Sequence, residues 1–363
     1  MEKPFRPGEA RMLSLSDEDI QAAAEALIAG QLVAFPTETV YGLGADAFNS
    51  TALAKVFEAK GRPRFDPLII HIADIHDMER VVDTGTLEPA MRKQVDAICY
   101  ALWPGPLTII LPKVPAIPDL ATAGLPTAAI RFPDHKAAQR LIRESTGAIA
   151  APSANPFGYL SPTRAEHVRE QLGNRVDFIL DGGRTGIGVE STVIDFSSGP
   201  PRILRPGGMP RERIEAIIGP IELPGAEAPA PAGRAPLSPG LLNSHYAPRT
   251  PLTLHSQEEM SALPYRPSEA YLFFSGSVRT AWLQARGVIP PHPAYAQDTP
   301  NSSLVRALSE AGDLIEAAAN LFDLLHELDR LPVSAIRAER APDKGLGIAV
   351  NDRLSRAGRG GSA

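Results

Sequence analysis

Cysteine is almost absent from the 363-residue sequence, with Cys99 as its single example. One thiol cannot build a disulfide framework, and it cannot supply the clustered cysteine ligands of a zinc or iron–sulfur site. Cys99 itself lies in an apolar pattern with helical spacing, which is typical of a packed helix. These observations favour a reducing environment, and we expect a cytoplasmic protein.

Long apolar segments and strong positive charge are missing as well. The sequence has no uninterrupted apolar run of about 18 residues, so it predicts no membrane-spanning helix. The N-terminal segment lacks the apolar core of a secretory signal, and we expect no such signal. The net charge of −6 argues against strong non-specific binding to nucleic acids.

The motifs of several common enzyme classes do not occur. The sequence contains no G-x-x-x-x-G-K-[ST] phosphate loop, no H-E-x-x-H zinc motif and no G-x-S-x-G nucleophile motif. Gly42, Gly44 and Ala47 match the loose dinucleotide pattern G-x-G-x-x-A. However, segment 36–41 separates them from the preceding strand, and the acidic residue expected at the end of the next strand is missing. A nicotinamide enzyme is therefore a poor alternative.

The sequence that remains is typical of a globular protein with mixed structure. It is 44% hydrophobic and 21% charged, and its length suggests about two domains. The mixture of helical and strand patterns predicts an α/β fold. In the first part, helices are predicted at 16–30, 50–60, 74–82, 87–101, 134–145 and 210–218, with Ser50 and Ser161 among the caps, and strands at 32–35, 68–72, 107–111, 128–131, 148–151, 177–180, 192–196 and 202–205.

A proline-rich stretch at 221–240 divides the chain. Its composition predicts a stiff, partly extended linker. The residues after it predict a second, smaller α/β unit, with strands near 252–255, 270–274 and 333–337 and helices near 303–329 and 346–357. We therefore predict domains at 13–218 and 251–357, joined by a linker at 219–250.

Polar and cationic residues follow several of the predicted apolar strands. Thr37 and Thr39 follow strand 32–35, Arg131 ends strand 128–131, and Arg205 ends the strand at 202–205. Ligands of open α/β sheets bind at such strand ends, and guanidinium groups there suit phosphate or carboxylate. Each residue alone also has an ordinary explanation as a turn former, helix cap or structural ion pair. Only the combination points to a function.

In their order along the chain, these clusters resemble the YrdC/Sua-five family, the threonylcarbamoyl-AMP synthases. The stretches that carry the resemblance are FPTETVYGLGADA (35–47), KGRPRFDPLIIH (60–71), WPGPLT (103–108), IRFPDH (130–135), APSAN (151–155), SPT (161–163), ESTVID (190–195), LRPG (204–207), SPGLLNSHYAP (238–248) and GLGIAVNDRLSRA (345–357). The resemblance covers nearly the whole chain and includes the linker and tail of the longer, two-domain members.

The resemblance implies a fold, a reaction and partners. The fold is a twisted open mixed sheet around a positively charged cavity, with a smaller Rossmann-like C-terminal domain. The reaction converts L-threonine, bicarbonate and ATP, with Mg²⁺ carried mainly by the phosphates, to L-threonylcarbamoyl-AMP and diphosphate. A tRNA threonylcarbamoyl transferase complex would use the product beside the anticodon, and weak contact with tRNA or double-stranded RNA is a further expectation.

The resemblance also implies the site residues, with Lys60 and Arg62 as the catalytic pair and no dedicated metal ligands. The threonine site would use Thr39, His71, Arg131, Ala151 and Ser191. The ATP site would use Arg62, Asp66, Thr127, Ser153, Ser161, Arg205 and Tyr246.

Two features of the sequence depart from the family pattern. Asp66 stands where the family often has Asn or His, and a carboxylate beside a phosphate is unfavourable, so we expect Asp66 to meet ribose, base or a metal-bound water. The linker has Leu242, Asn243 and Ser244 where the family often has a lysine and a tyrosine.

Two further alternatives for the function remain. One is a non-catalytic RNA- or nucleotide-binding module. The other is a carbamoyl-adenylate enzyme of hydrogenase maturation, which would carry cysteine zinc motifs.

Overall fold

The computed structural model describes residues 10–223, 246–288 and 304–359. These residues divide into two units. The first comprises 10–157 and 161–223, and the second comprises 158–160 together with the described residues from 246 onward. Most of the predicted linker, including 224–245, lies outside the described residues.

The first unit is built on a large mixed sheet. Its described strands are β1 (Arg11–Leu13), β2 (Val33–Phe35), β3 (Gly42–Asp46), β4 (Ile69–Ile72), β5 (Leu107–Pro112), β6 (Thr127–Arg131), β7 (Ala148–Ala150), β8 (Phe178–Leu180), β9 (Thr192–Asp195) and β10 (Arg202–Arg205). They lie in the order β1-β8-β2-β3-β7-β4-β6-β5-β9-β10. Strand β4 runs parallel to β6, whereas β5 and β7 run antiparallel to their neighbours β6 and β4.

Seven α-helices pack around this sheet in the described part of the first unit. They are α1 (Asp17–Ile28), α2 (Ser50–Lys60), α3 (Pro89–Leu102), α4 (Asp119–Thr122), α5 (Lys136–Glu144), α6 (Ala165–Leu172) and α7 (Arg211–Ile218), with 3₁₀ turns at Ile75–Arg80, Thr84–Thr86 and Gly173–Arg175. Ser16 caps α1 by accepting a hydrogen bond from the Asp19 backbone N–H. Gly61 ends α2 in the left-handed region, with φ 61°, which brings the chain from Lys60 into the following loop.

Alternation along β4 and β6 gives the sheet two different faces. Ile70 and Ile130 belong to the main apolar core, which α3 and α7 cover. His71 and Arg131 are Cα partners in neighbouring strands and therefore lie on the opposite face. A small apolar cluster accompanies them there, formed by Ile69, Ile110, Ala129 and Val193. The fold thus places two polar side chains together on the face that the main core does not use.

The second unit has a parallel sheet of four described strands in the order β11-β14-β12-β13. The strands are β11 (Leu252–His255), β12 (Glu269–Ser275), β13 (Val305–Ser309) and β14 (Ala335–Glu339), and the helices are α8 (Gln257–Ala262), α9 (Gly276–Ala285), α10 (Leu314–Asp329) and α11 (Leu346–Arg359). Trp282 packs on Tyr271 and Phe273 in its core. None of the described helices of either unit combines the length and apolar character needed to cross a membrane.

Some sequence expectations for the elements are wrong. The helix predicted at 303–329 begins instead with β13, and Gly312, at φ 75°, turns the chain before α10 starts. The dinucleotide-like segment at Gly42 is strand β3, which pairs with β2 and β7. Glycine is a poor strand former, so its sequence carried no strand signal. Strand β1 and helices α8 and α9 were not predicted.

Two predicted helix caps are also corrected. Asn49, not Ser50, caps α2, because its side chain accepts from the backbone N–H groups of Thr51 and Ala52. Ser161 caps no helix, since α6 begins at Ala165 and Ser161 donates its hydroxyl proton to Glu190. Ser161 is instead fully buried and bonded to a carboxylate.

Candidate active site

Lys60 ends helix α2 inside the protein, where its side chain is only 3% exposed. Its ammonium donates hydrogen bonds to the backbone carbonyls of Ser153 and Asn155, in the loop that follows β7. Burial, together with the nearby Arg62 guanidinium, holds the pKa of Lys60 well below its usual value. An anionic ligand beside Lys60 would favour its charged form, so this residue is suited to binding phosphate.

Arg62 and Asp66 form a buried ion pair just beyond Lys60. Arg62 Nη2 lies 2.8 Å from Asp66 Oδ2, and the same guanidinium donates to the carbonyls of Asp66 and Pro67. Burial raises the pKa of Asp66, while the charges of Arg62, Lys60 and Arg205 act in the opposite direction. The charges of three cations therefore act on the Asp66 carboxylate.

Arg205 connects this cationic group to the strand that begins at Thr192. Its Nη2 donates to the carbonyl oxygen of Ser191 at 2.9 Å and lies 3.2 Å from the Ser191 hydroxyl. That hydroxyl also lies 2.7 Å from the hydroxyl of Thr108, and Thr108 is the Cα partner of Arg131 in the β5–β6 pair. The chain of contacts Arg205–Ser191–Thr108 thus joins the cationic group to the Arg131 side of the sheet.

Arg131 is the centre of a second polar group. Its Nη2 donates to the Thr39 hydroxyl at 2.9 Å and lies 2.6 Å from Glu38 Oε1. The Thr39 hydroxyl in turn lies 2.8 Å from that of Thr37. Arg131 is 4% exposed, and its Nε has no hydrogen-bond acceptor among the described residues. A buried guanidinium with a donor to spare is a suitable partner for a ligand carboxylate.

His71 lies beside Arg131 as a neutral imidazole. Its Nδ1 is 3.2 Å from the Ile69 carbonyl, and its ring packs edge-on against Phe35. Burial, with a smaller contribution from the Arg131 charge, lowers its pKa from 6.5 to about 3. His71 therefore acts as a hydrogen-bonding group and not as a cation throughout the neutral range.

The His71 pKa predicts a specific acid sensitivity of the fold. Below pH 6.5 the unfolded chain takes up a proton at His71 while the folded protein does not, so stability falls as the pH falls. Between pH 7 and pH 5 this contributes a loss of about 2 kcal/mol. The His71→Gln variant should lack this loss in urea-unfolding experiments at the two pH values. Equal losses in both proteins would contradict the assignment.

Three further residues that the family resemblance assigns to the site, Ala151, Thr127 and Tyr246, lie in different parts of the structure. The Ala151 backbone N–H donates to the Ile69 carbonyl at 2.9 Å, which brings the chain after β7 next to β4. Thr127 starts β6, four residues before Arg131, and its hydroxyl has no hydrogen-bond partner among the described residues. Tyr246 belongs to the second unit, where its buried ring packs on Phe322 and under the guanidinium of Arg353.

Sequence reasoning did not identify Glu38, Thr108 or Glu190. Glu38 lies between Thr37 and Thr39 in the sequence, and its carboxylate pairs with Arg131, which is 93 residues away along the chain. Thr108 sits in an apolar strand, where threonine is an ordinary β former, so it gave no signal. Glu190 accepts the hydroxyl proton of Ser161, 29 residues away in sequence.

Two family models match the chain. A family model described as "Telomere recombination" (Sua5, YciO and YrdC) matches residues 25–207. A second model, "Threonylcarbamoyl-AMP synthase, C-terminal domain", matches residues 209–358. The chain belongs to the two-domain Sua5 family of threonylcarbamoyl-AMP synthases. These enzymes are nucleotidyltransferases, and both units of the chain match the family.

Individual Sua5 relatives are similar over nearly their whole length. The threonylcarbamoyl-AMP synthase of Bacillus subtilis is 44% identical over 354 residues, which cover 96% of this chain and 95% of that protein. The Pyrococcus abyssi synthase is 40% identical and covers 93% of each chain. The crystal structure of P. abyssi Sua5 complexed with L-threonine has a TM-score of 0.81 and covers 96% of this chain and 98% of that one. The expected α/β architecture and family are thereby confirmed.

Proposed function

We propose that this protein converts L-threonine, bicarbonate and ATP to L-threonylcarbamoyl-AMP and diphosphate. The observation that carries the proposal is the hydroxyl of Ser191. It contacts Arg205 of the cationic group and Thr108, the strand partner of Arg131. One site therefore offers buried cations for a polyphosphate next to a buried guanidinium for a carboxylate. The relative from P. abyssi was crystallised with L-threonine, which supports the second half of this reading.

The chemistry needs positioning and charge neutralisation more than a side-chain base. The neutral threonine amine adds to carbon dioxide to give a carbamate anion and a proton. A carbamate oxygen then attacks the α-phosphorus, and the bond to diphosphate breaks. Lys60, Arg62 and Arg205 would stabilise the negative charge on the transferring and leaving phosphates. Lys60 is buried and held by two carbonyls, so it is already oriented for this task.

The finer residue roles belong to the same proposal. Arg131, Thr39, His71, Ser191 and the backbone at Ala151 would hold threonine. Lys60, Arg62, Asp66, Thr127, Ser153, Ser161 and Arg205 would hold ATP, and a role for Tyr246 in ATP binding remains a prediction. Asp66 already pairs with Arg62, and this supports a role next to ribose or base rather than next to phosphate.

Magnesium would enter as part of the MgATP substrate. The described residues contain no group of three or more His, Cys, Asp or Glu side chains placed to hold a metal ion. The two carboxylates of the cationic group are already engaged, Asp66 with Arg62 and Glu190 with Ser161. The donor set therefore does not form a metal cage, in keeping with the ability of Mg²⁺ to bind mainly through phosphates and water. Transfer to tRNA by a downstream complex, direct RNA contact and the cytoplasmic location remain predictions.

A product assay with single omissions tests the function. Purified protein is mixed with ATP, Mg²⁺, bicarbonate and L-threonine, and threonylcarbamoyl-AMP is followed by mass spectrometry together with diphosphate release. We expect the product only when all substrates are present. Diphosphate formation without threonine would indicate a different acceptor. Binding of ATP without any diphosphate would instead favour the non-catalytic binding module.

A further inference from the structure

Glu38 is a buried carboxylate that the proposed chemistry does not use. It follows β2 in the loop between Thr37 and Thr39, and its side chain is 11% exposed. Its Oε1 lies 2.6 Å from Arg131 Nη2 as an ion pair. Neither of its carboxylate oxygens receives a hydrogen bond of good geometry from the described residues. The charge of Glu38 also acts on the His135 ring, in the loop after β6.

This arrangement leaves Glu38 poorly satisfied. A buried carboxylate normally accepts several hydrogen bonds, because it has lost those of water. Arg131 supplies charge, but its donor also serves Thr39, and the guanidinium is the group expected to hold the threonine carboxylate. A ligand that brought both a carboxylate for Arg131 and new N–H donors for Glu38 would satisfy both partners at once.

We propose that Glu38 binds the α-ammonium of threonine and thereby makes the site specific for the amino-acid zwitterion. In an α-amino acid only the α-carbon separates the ammonium from the carboxyl carbon, so a carboxylate placed on Arg131 brings the ammonium close to the neighbours of Arg131. Glu38 is the anionic neighbour. The ammonium offers three N–H donors, while the threonine carboxylate takes the place that Glu38 occupies on the guanidinium.

Glu38 would also assist the step after threonine binding, because its attraction for the threonine nitrogen ends when the carbamate forms. Before carboxylation the ammonium loses one proton to solvent, and a second proton is released as the carbamate forms, so the nitrogen is then no longer cationic and the new group is an anion. Glu38 attracts the ammonium but repels the carbamate, so the intermediate is released toward the cations at Lys60, Arg62 and Arg205. Glu38 is thus a specificity and positioning residue, and no covalent step is assigned to it.

The Glu38→Gln variant tests this inference, which rests on the proposed function. Binding is measured by calorimetry for L-threonine and for 2,3-dihydroxybutyrate, in which a hydroxyl replaces the ammonium. We expect threonine to bind at least about 30-fold more weakly to the variant, the usual result of removing one partner of a buried charge pair. The deaminated analogue should bind more tightly, because Glu38 no longer competes with its carboxylate for Arg131. A purely structural role would weaken both ligands.

Controls separate the possible results. Glu215→Gln removes a glutamate that pairs with Arg211 on α7 at 2.7 Å, and it should leave the affinity for both ligands unchanged. Glu38→Asp keeps the charge, so its ratio of threonine to analogue affinity should stay nearer to that of the unmodified protein, even if the glutamine variant folds poorly. Equal changes for both ligands, or no change, would overturn the role of Glu38. Failure of the unmodified protein to form threonylcarbamoyl-AMP would instead refute the proposed function.

Discussion

Replacing Lys60 with methionine is expected to lower kcat/KM for threonylcarbamoyl-AMP formation by about 10²–10³-fold. Loss of one preorganised donor to developing charge has an effect of this size in other enzymes. Methionine keeps most of the side-chain volume, so the cationic charge is the main loss. The fall should appear mostly in kcat, because Lys60 acts on the phosphates rather than on the threonine carboxylate. Steady-state diphosphate release, with threonine and ATP varied separately, measures the split.

A second lysine on the same helix provides the matched control. Lys55 Nζ donates to the carbonyl of Gly30 at 2.6 Å, away from the cationic group. Lys60→Met leaves two backbone carbonyls without their buried donor and should lose about 1–3 kcal/mol of unfolding free energy, whereas Lys55 is exposed and its variant should lose less. Only the Lys60 variant should lose activity. Comparable rates in the two variants would rule out a catalytic role for Lys60.

Replacing Arg131 with glutamine is expected to raise the KM for threonine by at least about 100-fold and to destabilise the fold. The Arg131 and Glu38 side chains are 5% and 11% exposed. Removing one partner of so buried a pair typically costs about 3–5 kcal/mol, because the other charge is left uncompensated. Urea unfolding and threonine titration together measure both effects in one protein.

The double variant Arg131→Gln with Glu38→Gln distinguishes the two effects. With both charges removed, the stability loss should be largely recovered, since no unpaired charge remains buried. Threonine binding should stay weak, because no cation faces the carboxylate. If threonine binding recovered together with stability, Arg131 would be a structural residue and the substrate would be held elsewhere.

Much of the fold follows from apolar runs and from glycines at helix ends, which are visible in the sequence. Strands β4, β5 and β6 are apolar runs bounded by proline or polar residues, and helices α1 and α2 carry glycine at or just after their ends. Strand β3 lacked such a pattern because two glycines open it, and tertiary pairing with β2 and β7 alone makes it a strand. Helix α10 was extended backward over β13, since both segments are apolar and the turn between them depends on one glycine.

The site was predictable where single residues follow strands, and less so where residues meet across the sheet. Arg131 and Arg205 end their strands and were predicted to bind anions for that reason. Ser191 stands just before β9, and because β9 runs antiparallel to β6 it lies at the same end of the sheet as Arg131, whereas Thr127 begins β6 at the opposite end. Ser191 belonged to a polar cluster next to a predicted strand, whereas Thr127 came from the family resemblance alone. Glu38 was missed because an ion pair between a loop residue and a strand residue 93 positions apart leaves no local pattern.

The contacts of the Ser191 hydroxyl have a consequence for the affinities of the two substrates. Arg205 donates toward it, and Thr108 contacts it from the threonine side. A nucleotide that draws Arg205 toward its phosphates changes the partners of this hydroxyl, and so changes what it can offer to threonine. Because linkage is reciprocal, threonine must alter the affinity for nucleotide by the same factor. We therefore expect each substrate to change the affinity for the other through Ser191, before any bond forms between them.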